Sequence, residues 1–485
     1  MNLKILLSEL EIDKMTGDCD VDIYSISYDS RKVKENSLFV CVKGTQYDGH
    51  DFISEAIENG ACAVIVEENV NTEGYNIPII KVMNSKIALA HIASRFYNNP
   101  SKEMELIGVT GTNGKTTVVH YIRDILESYG KPTGVIGTLG YEFENMEINI
   151  EKNTPTTPEN LELQQVFRKF KNNGAENVVM EVTSAALHKY RVEGCKFKIA
   201  VFTNLSQDHL DEHKTLENYK NEKMKLFNMC EIGVLNADDK VSKEIMEKCS
   251  CKVITYGIEK EADITAKQIE YNTDKVSFEV NIKDVKKKVW INMPGKFTVY
   301  NVLSAIGACY ALGININDIL NLICHVKKVC GRLEKVENEQ NKNIIVDYAH
   351  TPVALEKLLF MVKKLAKGRI ILVFGCGGDR DKSKRSLMGM IAGVLSNYVI
   401  ITSDNPRTEN PEDIIRDIEE GMEQISATYE KVTDRREAIK RGIEIMKEDD
   451  LLIIAGKGHE DYQIIGKEKI HFDDKEVIKE LLQVM

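Results

Sequence analysis

Short apolar runs alternate with amphipathic stretches along the whole chain. Runs such as "SLFVC", "CAVIV", "ELIGVT", "IAVF", "IILVF" and "LLIIA" are rich in branched side chains and end on glycine, proline or polar clusters. That is how strands buried on both faces read. Between them lie helical patterns: "DFISEAIENG", stopping at Gly60, "TTVVHYIRDILESYG", stopping at Gly130, and "TVYNVLSAIGACYALG". The alternation predicts an α/β protein with largely parallel sheets.

Three blocks follow from the breaks in the pattern. Residues 1–99 form a small N-terminal α/β domain closing on "ASRFYNNPSKEME", where Asn-Asn-Pro ends the periodicity. Residues 100–330 open with "ELIGVT", a glycine loop and a helix. The strands "NVVMEV", "IAVFTN", "IGVLNAD" and "CKVITYG" follow, as in a P-loop ATPase-like, mostly parallel sheet. Residues 331–485 carry "NIIVDYA", "RIILVFG", "YVIITSD" and "DLLIIAG" separated by helices, a Rossmann-like doubly wound pattern. Ligands gather at the carboxyl ends of such strands. Polar clusters stand at all four ends: Asp347 with His350, "GCGGDRDKSKR", "DNPR" and "GKGHED". Turns or helix caps explain each one separately but not the set. The run "KDVKKKVW" alternates as a solvated surface strand.

Length, 485 residues, agrees with about three domains. The longest apolar runs fall far short of the roughly 20 residues that span a bilayer. The opening "MNLKILLSELEIDK" meets acids by its ninth residue and does not read as a secretion signal. A cytoplasmic protein with no membrane partner is expected. Eleven cysteines at scattered spacings predict reduced thiols rather than a disulfide framework or zinc site. The net charge of −11 argues against nucleic acid as partner. Anionic small substrates remain open to it, because local lysines and arginines can hold them.

The stretch "GVTGTNGKTT" carries the clearest chemistry. Glycines allow backbone N–H groups of Gly111, Thr112, Asn113 and Gly114 close to phosphate oxygens. Lys115 would offset the β/γ charge, Thr116 can ligate Mg²⁺, and Thr117 continues a helix whose N-terminus favours an anion. The spacing departs from the common G-x-x-x-x-G-K, since position 109 is Val and the first glycine is Gly108. Such a loop suits a kinase, a switch, a motor or a ligase. A guanine-selecting NKxD is missing; "NADD" lacks the lysine. Glu181 ends one strand and His209 lies just past another, a reasonable Mg²⁺ pair beside the loop. On spacing alone, Lys223 in "NYKNEKMKLF" is one surface lysine among several.

The ordered set "GTNGKTT", "MEVTS", "TNLSQDHLDEH", "YKNEK", "VDYAHTP", "GCGGDRDKSKR", "DNPR" and "AGKGHEDYQ" resembles the Mur ligases of bacterial peptidoglycan synthesis over essentially the whole chain. It looks most like the branch that adds diaminopimelate as the third residue of the stem peptide. The resemblance implies an ATP-dependent amide ligase. ATP phosphorylates a carboxylate of UDP-MurNAc-L-Ala-D-Glu, and an amine of meso-diaminopimelate captures the acyl phosphate. A carboxylate is a poor electrophile, and phosphorylation supplies its leaving group. The resemblance also implies catalytic roles for Lys115, Lys223 and His209. It gives a metal set of Thr116, Glu181, His209 and a carbamylated Lys223, whose carbamate would turn a cation into an anionic ligand. Asn301, Arg332, Asp347 and His350 look like nucleotide contacts. Two departures stand out: Thr298 in "PGKFTVYN" where relatives carry Asn, and Ala185 where a polar residue is frequent.

The N-terminal "DSRKVKENSLFVCVKGTQYDGHDFI" looks like the family's UDP-binding segment, implying contacts from Ser30, Lys43 and Gly44. Thr156, Thr157, Thr183, Lys189 and Arg191 look like contacts to the muramoyl-peptide, although Thr156 to Glu159 read equally well as a helix N-terminus. For the amine, Arg407 presents a planar fork to a carboxylate, and diaminopimelate differs from lysine by one carboxylate. Arg385 is expected to hold another carboxylate, and Gly456 with Glu460 to meet the distal ammonium. Asp404, Asn405 and Pro406 complete that loop. A monomer closing its domains on the substrates is expected, since acyl phosphate must be kept from water. The alternatives are the same chemistry with L-lysine, a folylpolyglutamate-type ligase, a nucleotide-regulated binding module and a structural partner protein.

Overall fold

Short runs of β-branched residues that leave no polar face suit strands covered on both sides, and the described residues build three large sheets around them and one two-stranded hairpin. The computed structural model describes every residue except Thr45, Gln46, Asn145, Glu147, Thr273, Leu365 and Met485. Thr45 and Gln46 belong to the N-terminal segment singled out above, and that part of it lies outside the described residues.

The first sheet has five strands in the order Ile12–Thr16, Ile79–Val82, Ala61–Val66, Ser37–Val40, Ser25–Ser27. All pair in parallel except the first, which runs antiparallel to its neighbour. The second sheet has ten strands. Its parallel centre places the phosphate-loop strand Glu105–Thr110 between Phe197–Phe202 and Asn177–Glu181. Antiparallel additions that the sequence pattern did not reveal extend both ends: Gly140–Glu142 at one, Val276–Ile282 and Val285–Ile291 at the other. The last contains "KKKVW" and alternates in and out as expected. The third sheet orders Glu334–Lys335, Asn343–Asp347, Leu451–Ala455, Ile370–Phe374, Tyr398–Ile401 and Tyr429–Lys431. Its last parallel strand from the sequence pattern, Leu451–Ala455, lies between two earlier ones. The four polar strand ends are thereby brought to one edge. A hairpin, Tyr462–Ile465 with Glu468–His471, follows.

Helix Lys115–Ser128 packs with helix Lys296–Ala311 in one apolar core that includes Val118, Val119, Ile122, Val299, Val302 and Ile306. That packing fixes the phosphate loop at the helix N-terminus. The second helix starts before residue 298. Thr298, fully buried, donates its hydroxyl to the Pro294 carbonyl at 2.8 Å, which is what the departure at this position does here. The expected helix over "DFISEAIENG" is divided. Asp48 accepts from the His50 N–H and starts a 3-10 turn, Gly49–Phe52, before the α-helix Ile53–Glu58. The helix after Thr156 and Thr157 begins only at Asn160, and no side chain caps it. All eleven cysteines are free thiols. Among the described residues, no helix is long and apolar enough to cross a membrane.

Candidate active site

A cavity of about 610 Å³ lies between the loop edge of the ten-stranded sheet and the carboxyl edge of the third sheet. From one side Thr112 to Thr117, Thr138, Glu181, Asp208 and His209 line it; from the other, Arg332, Asp347, His350, Asp404, Asn405, Arg407, Gly456 and Glu460. Several hydrogen bonds and ion pairs cross it. Arg332 Nη2 donates to Thr116 Oγ1 at 3.1 Å, and Gln207 to Ser383 at 3.2 Å. Lys384 Nζ stands 3.7 Å from Asp208 Oδ1.

The phosphate loop is held from both flanks. Thr203 Oγ1 donates to the Asn113 carbonyl at 2.7 Å, and Asn113 N–H donates to Asn204 at 3.1 Å. Gly114 has φ +91°, and a Cβ there would stand 2.6 Å from Asn301 Oδ1, so any other residue would be strained and would have to displace the Asn301 amide. Lys115 Nζ donates to the Gly111 and Thr112 carbonyls, each at 2.9 Å, curled into its own loop. Burial pushes its ammonium below the ordinary range, and Glu181 and Asp208 oppose that.

Glu181 is buried, and its Oε1 accepts the Thr138 N–H at 2.8 Å. His209 sits at φ +54°, a left-handed conformation uncommon for histidine that turns its ring to the cavity. Enclosure by the surrounding protein lowers its pKa, with Asp208 opposing. Lys223 is not the surface lysine that its spacing suggests. It is buried behind the loop, donating from Nζ to the Gly111 carbonyl at 3.0 Å with its amine 4.3 Å from the Tyr219 ring centroid. Burial first, then Lys115, push its ammonium well below the usual lysine value. Thr116, Glu181 and His209 supply a hydroxyl, a carboxylate and an imidazole to one wall. Among the described residues, no three His, Cys, Asp or Glu side chains cluster as a metal cage. The donors therefore fit an ion shared with phosphate oxygens and water rather than a closed protein site.

Asp347 receives the N–H groups of Leu333 and Ala349, each at 2.8 Å, and so fixes the start of the third sheet's loops. Burial raises its pKa, with Arg332 opposing. Burial holds His350 at about 4 and His459 at about 3. The Tyr348 ring, which the sequence reading passed over, lies between them at 4.5 and 4.8 Å centroid separation and carries the Arg332 guanidinium 4.5 Å from its centre.

On the amino-acid side, Arg407 sits at φ +51°. The hairpin pins it there: Arg407 N–H donates to the Ile464 carbonyl, and Gly466 N–H to the Arg407 carbonyl. Its Nη1 donates to the Gly378 carbonyl at 2.8 Å. Arg385 departs from expectation. It is fully buried, does not line the cavity, and spends its guanidinium on Glu409 (2.9 and 3.0 Å) and Asp417 (2.8 Å). In this conformation it braces the "DNPR" loop from beneath, its two Nη groups engaged by intramolecular carboxylates while its buried Nε meets no hydrogen-bond partner. Lys384, Arg380 and Arg407 are the cations that line this part of the cavity. Pro406 is buried in its loop and does not line it.

Thr156, Thr157, Thr183, Lys189 and Arg191 line the cavity's far flank. Thr157 spends its hydroxyl on the Glu181 carbonyl at 2.9 Å, Lys189 pairs with Glu212, and Arg191 pairs with Glu159. Where Ala185 offers no polar group, His213 reaches the neighbouring Ser184 hydroxyl at 2.9 Å. Ser30, Lys43 and Gly44 stay with the first sheet, outside this cavity. Ser30 bonds Glu55 at 2.9 Å, Lys43 pairs with Glu68 at 2.8 Å, and Gly44 N–H meets the Tyr47 carbonyl.

Three family models match: the Mur ligase middle domain over residues 109–309, the Mur ligase glutamate ligase domain over 331–458, and the Mur ligase family catalytic domain over 22–97. UDP-N-acetylmuramoyl-L-alanyl-D-glutamate–2,6-diaminopimelate ligase 2 of Clostridium acetobutylicum is 61% identical over 482 residues, covering 99% of this chain and 100% of its own. The ligase of that description from Clostridioides difficile is 45% identical, covering 100% of each. A solved structure of a UDP-N-acetylmuramoyl-L-alanyl-D-glutamate–2,6-diaminopimelate ligase aligns with a TM-score of 0.69 at 31% identity, over 100% of this chain and 99% of its own. The MurF ligase of Thermotoga maritima in complex with ADP shares the fold, with a TM-score of 0.63 at 21% identity over 95% of this chain and 97% of its own. The chain belongs to the Mur ligase family.

Proposed function

We propose that this chain joins meso-diaminopimelate to UDP-MurNAc-L-Ala-D-Glu with ATP, through an acyl phosphate. The observation that carries the reading is the single cavity lined by a phosphate loop, a Glu–His pair and the "DNPR" and "GKGHE" loops. The terminal phosphoryl group passes to the substrate carboxylate and ADP leaves. The amine then attacks the acyl carbon, loses a proton, and phosphate departs with the C–O bond. Gly111 to Thr117 and Lys115 hold the β/γ-phosphates, with Asn301, Arg332, Asp347 and His350 around the nucleotide. Thr116, Glu181, His209 and a carbamate on Lys223 would hold Mg²⁺, which offsets the charge gathered between two anions. The buried, cation-disfavouring setting of Lys223 supports that modification, because the neutral amine is the form that adds CO₂.

Thr156, Thr157, Thr183, Lys189 and Arg191 take the muramoyl-peptide, and Ser30, Lys43 and Gly44 the UDP end. Asp404, Asn405, Pro406, Arg407, Gly456 and Glu460 take the amino acid, with Arg385 holding their loop. The units 1–99, 100–330 and 331–485 close on these substrates. The working form in this reading is a monomer. Its substrates are soluble and ATP-linked, which makes the cytoplasm the fitting compartment.

Phosphate release is the test. Enzyme with ATP, Mg²⁺ and UDP-MurNAc-L-Ala-D-Glu is expected to release phosphate when meso-diaminopimelate is added and far less with L-lysine. Equal release with both, or ATP splitting without amide formation, refutes the reading.

A further inference from the structure

Lys457 lies in the "GKGHE" loop, is completely buried, and does not line the cavity. Its Nζ stands 3.0 Å from Glu460 Oε2 and 3.4 Å from Asn405 Oδ1. Asn405 Nδ2 donates to the same Glu460 oxygen at 2.9 Å, and its Oδ1 accepts the Ile464 N–H at 2.9 Å. Glu460 Oε1 meets the Tyr348 hydroxyl at 3.4 Å. Asp404 closes the other side: a Cβ on Gly456, at φ +113°, would stand 2.6 Å from Asp404 Oδ2. Below, Arg435 and Asp474 form a fully buried pair that neutralises itself, with two contacts of 2.8 Å.

Around this loop the charges balance: the carboxylates of Asp404 and Glu460 stand with the cations Arg407 and Lys457, while Lys384 and Arg380 on the neighbouring wall are met across the cavity by Asp208 and Asp211. A balanced pocket complements a ligand end that itself carries both an ammonium and a carboxylate. Without Lys457 the same pocket would hold one excess negative charge and would complement a bare ammonium. In an enclosed site such an imbalance is weakly screened.

We propose that Lys457 is a specificity-determining positioning residue, which orients Glu460 and cancels one carboxylate so that the pocket takes a zwitterionic amino-acid end and rejects an alkylammonium. This rests on the reading of the amine substrate as meso-diaminopimelate. Lys457 acts through Glu460 and touches no substrate.

The test compares wild type, Lys457→Gln and Lys457→Arg with meso-diaminopimelate and L-lysine. Gln keeps a donor for Glu460 without the charge; Arg keeps the charge. Lys457→Gln is expected to lower the kcat/KM ratio of diaminopimelate over lysine by about tenfold or more. The change should appear as opposite movements of the two amino-acid KM values, with the KM for ATP unchanged. Lys457→Arg should keep the wild-type ratio. A wild-type ratio in Lys457→Gln, or parallel losses toward both amino acids, overturns the proposal. Should Lys457→Gln not fold, Glu460→Gln tests the balance from the other side. Its pocket gains a positive charge, so lysine should be rejected more steeply and 2-aminopimelate, whose distal end is a carboxylate alone, accepted better. Equal losses for all three overturn the proposal. A wild-type enzyme that uses lysine as readily as diaminopimelate sinks the functional reading itself, and that result needs no variant.

Discussion

Replacing Glu409 by Gln removes one charge from beneath the amino-acid loop. Glu409 takes both nitrogens of the buried Arg385, at 2.9 and 3.0 Å, the Asp379 N–H at 2.6 Å and Lys382 at 3.1 Å. Arg385 foremost holds its carboxyl at about 2, against an ordinary 4.5. A shift of that size corresponds to about 3 kcal/mol favouring the ionised, folded form. Breaking a buried ion pair from one side costs about 3–5 kcal/mol, in fair agreement. Asp417 keeps one contact with Arg385, so the loss should sit near about 2–3 kcal/mol. Because the folded carboxyl titrates lower than the unfolded one, the stabilisation is fully present above pH 4.5. It is lost as pH falls through that value toward 2. Hydrogen exchange over Ser383–Leu395 and Tyr398–Ile401 should quicken by roughly 30- to 150-fold at neutral pH in Glu409→Gln. Acid melts of the variant should lose this group's share of the decline between pH 4.5 and 2. Exchange within about threefold of wild type would refute the brace.

Gly114→Ala must accommodate φ +91° and a Cβ 2.6 Å from Asn301 Oδ1. The left-handed strain alone is about 1–2 kcal/mol, so labelled ADP should bind about tenfold or more weakly with circular dichroism unchanged. Arg407→Ala should lower kcat/KM for diaminopimelate by about thirtyfold or more and for lysine far less, which steady-state kinetics will read. Lys223→Ala should abolish amide synthesis, and native mass spectra of wild type should show one CO₂ adduct that acid removes; a fully active, unmodified enzyme would contradict this. Burial holds His350 at about 4 against an ordinary 6.5, so it stays neutral in the fold while the unfolded chain takes up a proton. Stability should therefore fall as pH drops from 6.5 toward 4, and His350→Gln should flatten that limb in pH-dependent melts.

What the sequence determined by itself is local. Strand Glu105–Thr110, the glycine loop and helix Lys115–Ser128 follow from β-branched runs, glycines and amphipathic spacing within a few residues. The parallel pattern of the third block also put Asp347, "DNPR" and "GKGHED" at strand ends that meet on one edge. Tertiary structure decided which charges find which partners. Lys223 reads as a surface lysine and is buried against a carbonyl 112 residues away. Arg385 reads as a ligand-holding cation, and its Nη groups are taken by Glu409 and Asp417, 24 and 32 residues on. Lys457 gives no signal of its own, since its role is a charge count among Asp404, Glu460 and Arg407 on separate loops. Backbone propensity and hydrophobic period act over a turn or a strand, so they are written in the chain. An ion's partner and its desolvation depend on distances that exist only once the sheets are packed.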